Sequence, residues 1–401
     1  MASMHRIPFS RHETVRVGLI GTGWRGQTLL HELCACEGTQ ILALADELPE
    51  RLEEPLAWLQ ENRRPRPLAF SGPDSALRLL ETDLDLVVIA TSWQTHTPLA
   101  LAAMEAGKHA ALEVPAAVSV EQCWQLVETS ERTRRHAVIL ENCCYGYWEM
   151  LVRRMVLAGK LGTLTHAECA YIHNLRRDLF LRDDHQGWRR QAHVHLNGNH
   201  YPTHGLGPVA KCLQIGEGDA FDYLVSMSSR EAGLSEFRDQ QLASDDRRRA
   251  ERYANGDMNV SLLRTKLGRT IVLQHDVVTP RPYDRIFLIA GTQGTFRDYP
   301  PRLYLDEVTH SELEWLDPAA YRAEWEDPLW TEHGEQALAA GGHGGMDFLM
   351  MLRLVETMRQ GLAPEMDVYE AAEWSVPGPL SFESVARRST ALDFPDFRRA
   401  S

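Results

Sequence analysis

The sequence predicts an α/β protein in two parts: a doubly wound parallel sheet at the N-terminus, then an α+β part whose open sheet is mainly antiparallel. Three observations carry this expectation. An apolar strand, Val15-Arg-Val-Gly-Leu-Ile20, runs straight into Gly21-Thr22-Gly23-Trp24-Arg25-Gly26 and a helix. Continuous apolar runs then alternate with helical segments to about residue 145, as a parallel sheet covered on both faces requires. Beyond Thr163 the apolar residues alternate singly, as in strands with one exposed face. A chain of 401 residues also exceeds one compact core.

Residues 1–14 are polar and aperiodic and read as a loose arm. In the turn that follows, Gly21 permits the tight bend, Gly23 lets backbone approach a pyrophosphate, and Gly26 lets the helix lie close to the sheet. The helix N-terminus offers unpaired N–H groups and a positive dipole end to an anion. Asp46 closes the strand Ile41–Ala45 where a carboxylate accepts both ribose hydroxyls and repels a 2′-phosphate. This pattern predicts a Rossmann domain that binds NAD rather than NADP. Leu86–Thr91, His109–Glu113 and Ala137–Glu141 read as further parallel strands, with helices at Pro98–Ala106 and Val120–Arg135. Ligands sit at the carboxyl ends of such strands, which brings Trp93, His96, Glu113, Glu141 and Asn142 to the cofactor.

The second part offers strands at Thr165–Ile172, Phe221–Ser228, Met258–Thr265, Thr270–Asp276 and Arg285–Ala290, interrupted by a long irregular stretch, His173–Tyr201. Asp347–Gln360 and Val368–Glu373 read as helices, the second expected to pack on the first domain. The expected division is an arm at 1–14, an NAD-binding domain at 15–145, and a substrate and oligomerisation domain at 146–401. Its open sheet is expected to face the nicotinamide and to pair with a second copy in a homo-oligomer.

The formal charge of −14 argues against nucleic acid or an anionic membrane as partner. No apolar run is long enough to span a bilayer, and the N-terminus lacks a secretory h-region and a twin-arginine pair. Seven cysteines without metal or redox spacing suggest reduced thiols and a cytoplasmic setting. The run His193, His195, His200, His204 invites a metal reading, but no carboxylate or cysteine sits at ligand spacing; no metal is expected.

This layout resembles the glucose–fructose oxidoreductase and inositol dehydrogenase superfamily over nearly the whole chain. Its dehydrogenases usually read Glu-Lys-Pro where this chain has Glu113-Val114-Pro115, and an aliphatic Val114 cannot relay a proton. Two blocks, Asn197-Gly-Asn-His-Tyr201-Pro-Thr-His204-Gly-Leu-Gly-Pro-Val-Ala210 and Gly341-Gly-His343-Gly-Gly-Met-Asp347-Phe348, are similar to glycoside hydrolase family 109, the NAD-dependent α-N-acetylgalactosaminidases. The resemblance implies a sugar substrate and an active site of Glu141, Tyr171, Arg189, Tyr201, His204 and Tyr283.

Each of these also has a reading of its own. His204 precedes a helix and suits acid–base work, though a histidine there can equally cap the helix. Tyr171 and Tyr283 can act as base or stack on a sugar face. Arg189 beside Trp188 suits sugar hydroxyls or an N-acetyl carbonyl, or a surface pairing; Trp188 is counted with the cofactor residues. Glu141 touches ligand or caps a helix. The glycines around His343 let backbone approach a substrate. The expected chemistry is transient oxidation at sugar C3, deprotonation at C2, elimination at C1, water addition and re-reduction. The rivals are a plain NAD-dependent sugar or cyclitol dehydrogenase and a cofactor-holding protein without activity.

Overall fold

A computed structural model describes residues 2–181 and 187–398. The chain forms two compact units, one of Met1–Tyr147, Pro328–Ser375 and Asp396–Ser401, the other of Trp148–Asp327 and Val376–Pro395.

The first unit is built on β1 (Val15–Ile20), β2 (Thr39–Asp46), β3 (Leu68–Ser71), β4 (Leu86–Ile89), β5 (His109–Leu112) and β6 (Ala137–Ile139), ordered β3-β2-β1-β4-β5-β6. All five pairings are parallel. Val17, Leu19, Val87, Ala111 and Ile139 are fully buried, because helices cover both faces. The order reverses between β1 and β4, the switch point at which doubly wound sheets bind ligands.

The second unit carries β7 (Leu164–Ile172), β8 (Phe221–Ser228), β9 (Asn259–Thr265), β10 (Thr270–Asp276), β11 (Leu288–Gly291), β12 (Gly294–Arg297), β13 (Arg302–Leu305) and β14 (Leu392–Asp393). Their order is β13-β12-β11-β7-β10-β9-β8-β14, and every pairing except β7 with β10 is antiparallel. Along β9 the side chains alternate, Leu263 buried and Leu262 exposed, and Met227 on β8 is exposed as well.

Several elements differ from the sequence expectation. The arm is pinned: Met4 and Phe9 are buried, Met4 N–H donates to the Tyr369 hydroxyl, and the Phe9 ring lies edge-on to His109 and His136. Two apolar side chains with their own sockets outweigh the eight polar ones of the arm. The helix expected from Pro98 starts at Trp93 behind the extended Ser92, with Pro98 inside it; a proline there removes only one backbone bond. The strand expected from Arg285 starts at Leu288, because Ile286 and Phe287 take positive φ angles. His173–Tyr201 contains two short helices, Arg176–Leu181 and Trp188–His195, and its residues 182–186 lie outside the described residues.

The compact units also depart from the chain order. The helices Pro328–Ala340, Met346–Gln360 and Val368–Ser375 group with the first sheet, the last against Val120–Thr133 and β6. All seven cysteines are thiols. No helix among the described residues is long and apolar enough to cross a membrane.

Candidate functional site

In the first unit the site grows from the turn after β1. Gly21 has a φ of +88°, and a Cβ there would lie 2.6 Å from the Ala90 carbonyl oxygen. A Cβ on Gly26 would lie 1.9 Å from the Gly21 carbonyl oxygen, so only glycine lets the helix Trp24–Ala35 start this close to the strand. That helix starts at Trp24 behind the cap residue Gly23, with no side-chain cap and no acid in its first turn, so its positive end suits an anion.

Asp46 is fixed over this turn: Thr22 N–H donates to its Oδ2 at 2.8 Å and Leu48 N–H to its Oδ1 at 3.1 Å. The Thr22 hydroxyl also lies 3.2 Å from Oδ2; a carboxylate accepts about four hydrogen bonds, so capacity for a ribose hydroxyl is left. The turn, the open helix end and the oriented carboxylate fit a dinucleotide. Arg51, which the sequence did not single out, lies beside the turn; its Nη1 is 2.7 Å from where a Gly23 Cβ would stand. It follows Asp46 by five residues, but no pattern in the chain marks it.

The strand-end residues divide into groups. Arg25 donates through Nε to Glu113 at 2.7 Å and through Nη1 and Nη2 to Asp347 at 2.6 and 2.9 Å. Asn142 donates to Asp347 at 2.8 Å, and His343 Nδ1 at 2.6 Å. Burial penalises the Arg25 charge, yet Glu113 and Asp347 hold its pKa above the usual arginine value. Burial likewise opposes the Asp347 charge, and Arg25 and His343 pull its pKa well below the carboxylate range. Trp93 is buried, while Trp24 is exposed. His96 is buried with Nδ1 2.9 Å from the Pro115 carbonyl and Nε2 3.1 Å from that of Thr91, so it ties two strand ends together. Glu141 accepts from Cys143 N–H at 3.1 Å and so caps the short helix Asn142–Tyr145. His343, read from sequence as a substrate residue, belongs to this unit and bonds to Asp347.

In the second unit the site grows from the end of β7. Helix Thr203–Cys212 lies close on that strand because Gly205 has no side chain; a Cβ there would stand 2.7 Å from Ala170 N. This contact brings His204, one residue before Gly205, beside Tyr171, one residue after Ala170, with ring centroids 5.4 Å apart. Tyr201 completes the group, 4.7 Å from Tyr171 and 4.8 Å from His204. Pro202 holds the cap position of the helix, so His204 lies within its first turn.

The Tyr171 hydroxyl lies 3.1 Å from His173 Nδ1. Arg189 stacks on Trp188 and on Tyr201, its Cζ 4.8 and 5.7 Å from the two ring centres. Tyr283 packs edge-on to His173 at 5.1 Å, and Arg285 Nη1 donates to its hydroxyl at 3.3 Å. Tyr171, Arg189, Tyr201, His204 and Tyr283 therefore form one cluster. His173, which the sequence reading missed, belongs to it; its position two residues after Tyr171 was the available signal.

The histidine run divides. His204 joins the tyrosines and His195 is exposed, while His193 and His200 are buried with His275, which the β7–β10 register sets opposite Tyr171. Burial and mutual repulsion lower the pKa of His193 and His275; burial lowers that of His200 to about 4. Asn255 faces His193 at 3.1 Å, and Arg189 adds positive potential. The folded state holds these rings neutral, so the unfolded chain binds more protons in acid. The contribution of these rings to stability is expected to be level above about pH 7 and to fall as pH drops from 6.5 toward about 4. His200 alone accounts for on the order of 2–3 kcal/mol at the acid end. Urea midpoints measured across this range for the protein and for His200→Gln check this; an unchanged slope in the variant would refute it.

Residues 145–401 match the family model "Glycosyl hydrolase 109, C-terminal domain", and residues 15–140 match "Oxidoreductase family, NAD-binding Rossmann fold". A glycosyl hydrolase family 109 protein of Solibacter usitatus is 51% identical over 401 residues, covering 99% of this chain and 91% of the relative. One from Saccharopolyspora erythraea is 46% identical over 99% of this chain and 86% of its own length. Among solved structures, a levoglucosan dehydrogenase in complex with NADH and L-sorbose superposes with a TM-score of 0.73 at 17% identity, over 96% of this chain and all of that one. An NAD-binding oxidoreductase from Klebsiella pneumoniae gives 0.72 at 16% identity, with the same coverage. At such identities the likeness concerns the fold. The family model over residues 145–401, the NAD-binding Rossmann model over 15–140 and relatives 46–51% identical over 99% of this chain agree: the chain belongs to glycosyl hydrolase family 109, with NAD as its cofactor.

Proposed function

We propose that the protein cleaves glycosides, α-N-acetylgalactosaminides foremost, by oxidising the sugar transiently rather than by direct displacement. NAD held here would supply the hydride acceptor and, at the end, the hydride donor, with no net redox change. The turn Gly21–Gly26 and the helix end at Trp24 hold the pyrophosphate, and Asp46 a ribose hydroxyl. His204 takes the C3 hydroxyl proton as C3 becomes a ketone. The ketone acidifies the C2 hydrogen, which Tyr171 removes as tyrosinate, its phenolic proton held on His173; the C1–O bond breaks, and the leaving oxygen takes a proton from solvent and departs as the alcohol. Water adds to C1 of the unsaturated ketone and gives its spare proton back to solvent, C2 regains a proton from Tyr171, and His204 returns its proton to the C3 oxygen. Arg189 holds sugar oxygens or an N-acetyl carbonyl, and Tyr283 stacks against the ring.

One observation carries this reading: a phenol and an imidazole, both fit for proton transfer, sit 5.4 Å apart in one cluster. Oxidation at one carbon needs a single proton acceptor, and elimination needs a second at the adjacent carbon. His173 at the Tyr171 hydroxyl supports Tyr171 over Tyr283 as that second acceptor, because an imidazole nitrogen can accept the phenol's hydrogen bond. A panel of nitrophenyl glycosides run in heavy water tests the route. Cleavage without NADH accumulation, and product bearing deuterium at C2, are expected. Product unlabelled at C2 rules out the elimination, and stoichiometric NADH makes the protein a dehydrogenase.

A further inference from the structure

The proposed cycle needs a cofactor that stays in place, and the first unit contains a device suited to retaining it. Asp347, fully buried, is a hub with all its acceptor capacity used. Its Oδ1 accepts from Arg25 Nη2 and Asn142 Nδ2, its Oδ2 from Arg25 Nη1 and His343 Nδ1. Through Arg25 it also reaches Glu113. Three residues that the sequence assigned to the cofactor, Arg25, Glu113 and Asn142, are thus joined by one carboxylate from a distant segment.

That segment is held in an uncommon backbone form. Gly341, His343, Gly344 and Gly345 have φ angles of 91°, 46°, 69° and 94°. Glycine adopts such φ angles freely, but the left-handed His343 persists only when its surroundings over-determine it. Here the His343–Asp347 bond does so, together with close packing at Gly342, where a Cβ would meet Glu32 Oε1 at 2.5 Å and Asp347 Oδ2 at 2.8 Å. The His343 ring lies edge-on to Trp24, 6.0 Å away, at the first residue of the helix that receives the pyrophosphate. Glu32 completes the charged groups facing the segment, its pKa raised to about 7 by burial and by Asp347.

We infer that Asp347 and His343 are positioning residues for the dinucleotide: Asp347 aims Arg25 and Asn142, and His343 closes the glycine segment over the start of the helix so that NAD is released slowly. This rests on the recycled-cofactor reading, but its test reads cofactor release and not catalysis.

His343 is part-exposed, so His343→Ala leaves the core untouched. Cofactor release, followed by dihydronicotinamide fluorescence as the reduced holoprotein sheds NADH after dilution into excess NAD, is expected to quicken roughly 10- to 100-fold, the range for losing one charge-assisted hydrogen bond. His343→Asn places an amide near the Nδ1 position and tolerates positive φ; it is expected to restore release to within about threefold of the wild type. Asp347→Asn should quicken release at least as much as His343→Ala; if it does not fold, the His343 pair decides. Unchanged release in His343→Ala, or equal release in the alanine and asparagine variants, overturns the inference. A wild type that retains NAD but cleaves no glycoside counts against the proposed function and leaves this inference standing.

Discussion

Tyr171→Phe is expected to lower kcat for glycoside cleavage by roughly 10²- to 10⁴-fold, the contribution of one well-placed general base. NAD content should be unchanged, because Tyr171 lies in the second unit and the dinucleotide turn in the first. The stability cost should be small, about 1 kcal/mol, since the hydrogen bond to His173 is lost while the ring still fills its place among Tyr201, His204 and His275. Steady-state kinetics beside a thermal melt separates the two effects. The variant should also stop exchanging deuterium into C2 while still accepting hydride from C3, so single-turnover NADH formation should survive. Activity within about threefold of the wild type would move the role of base to Tyr283.

Gly26→Ala is expected to abolish NAD binding. The added methyl would stand 1.9 Å from the Gly21 carbonyl oxygen, and that neighbour is backbone, not a flexible side chain. Relief requires the helix to move off β1, which carries the N–H groups away from the pyrophosphate and misplaces Arg25. Overpacking of this kind costs about 1–3 kcal/mol or more, so the protein should fold with a lower melting temperature and purify without dinucleotide. Absorbance of the purified variant and titration with NADH check this. A variant that retains the cofactor at wild-type stoichiometry would show that the turn does not hold the pyrophosphate.

Much of the first unit was legible in the chain because its signals are local. A glycine turn, the acid after the next strand and uninterrupted apolar runs each have a mechanical cause within a few residues, and β1, β2, β4, β5 and β6 appear where these signals lie. The second unit was legible in outline through single alternation. The boundary of Arg285–Ala290 was not: Ile286 and Phe287 take positive φ angles in a turn where Ile286 N–H donates to Asp284 Oδ1 and Phe287 N–H to the Arg285 carbonyl, and no glycine or proline in the sequence marks it.

The candidate site divides in the same way. The chain by itself determined which residue types could work: the turn, Asp46, and the phenols and imidazoles of the Tyr201–His204 block. Only tertiary structure decided their company. It set His204 beside Tyr171 through the missing side chain of Gly205, and it sent His193 and His200 to a buried group with His275. It also joined Asp347 to Arg25 across more than three hundred residues of chain. The reason is physical: a turn or a strand is set by interactions between near neighbours, which a sequence displays, whereas a hydrogen-bonded hub is set by packing, which brings together groups whose order along the chain carries no trace of the contact.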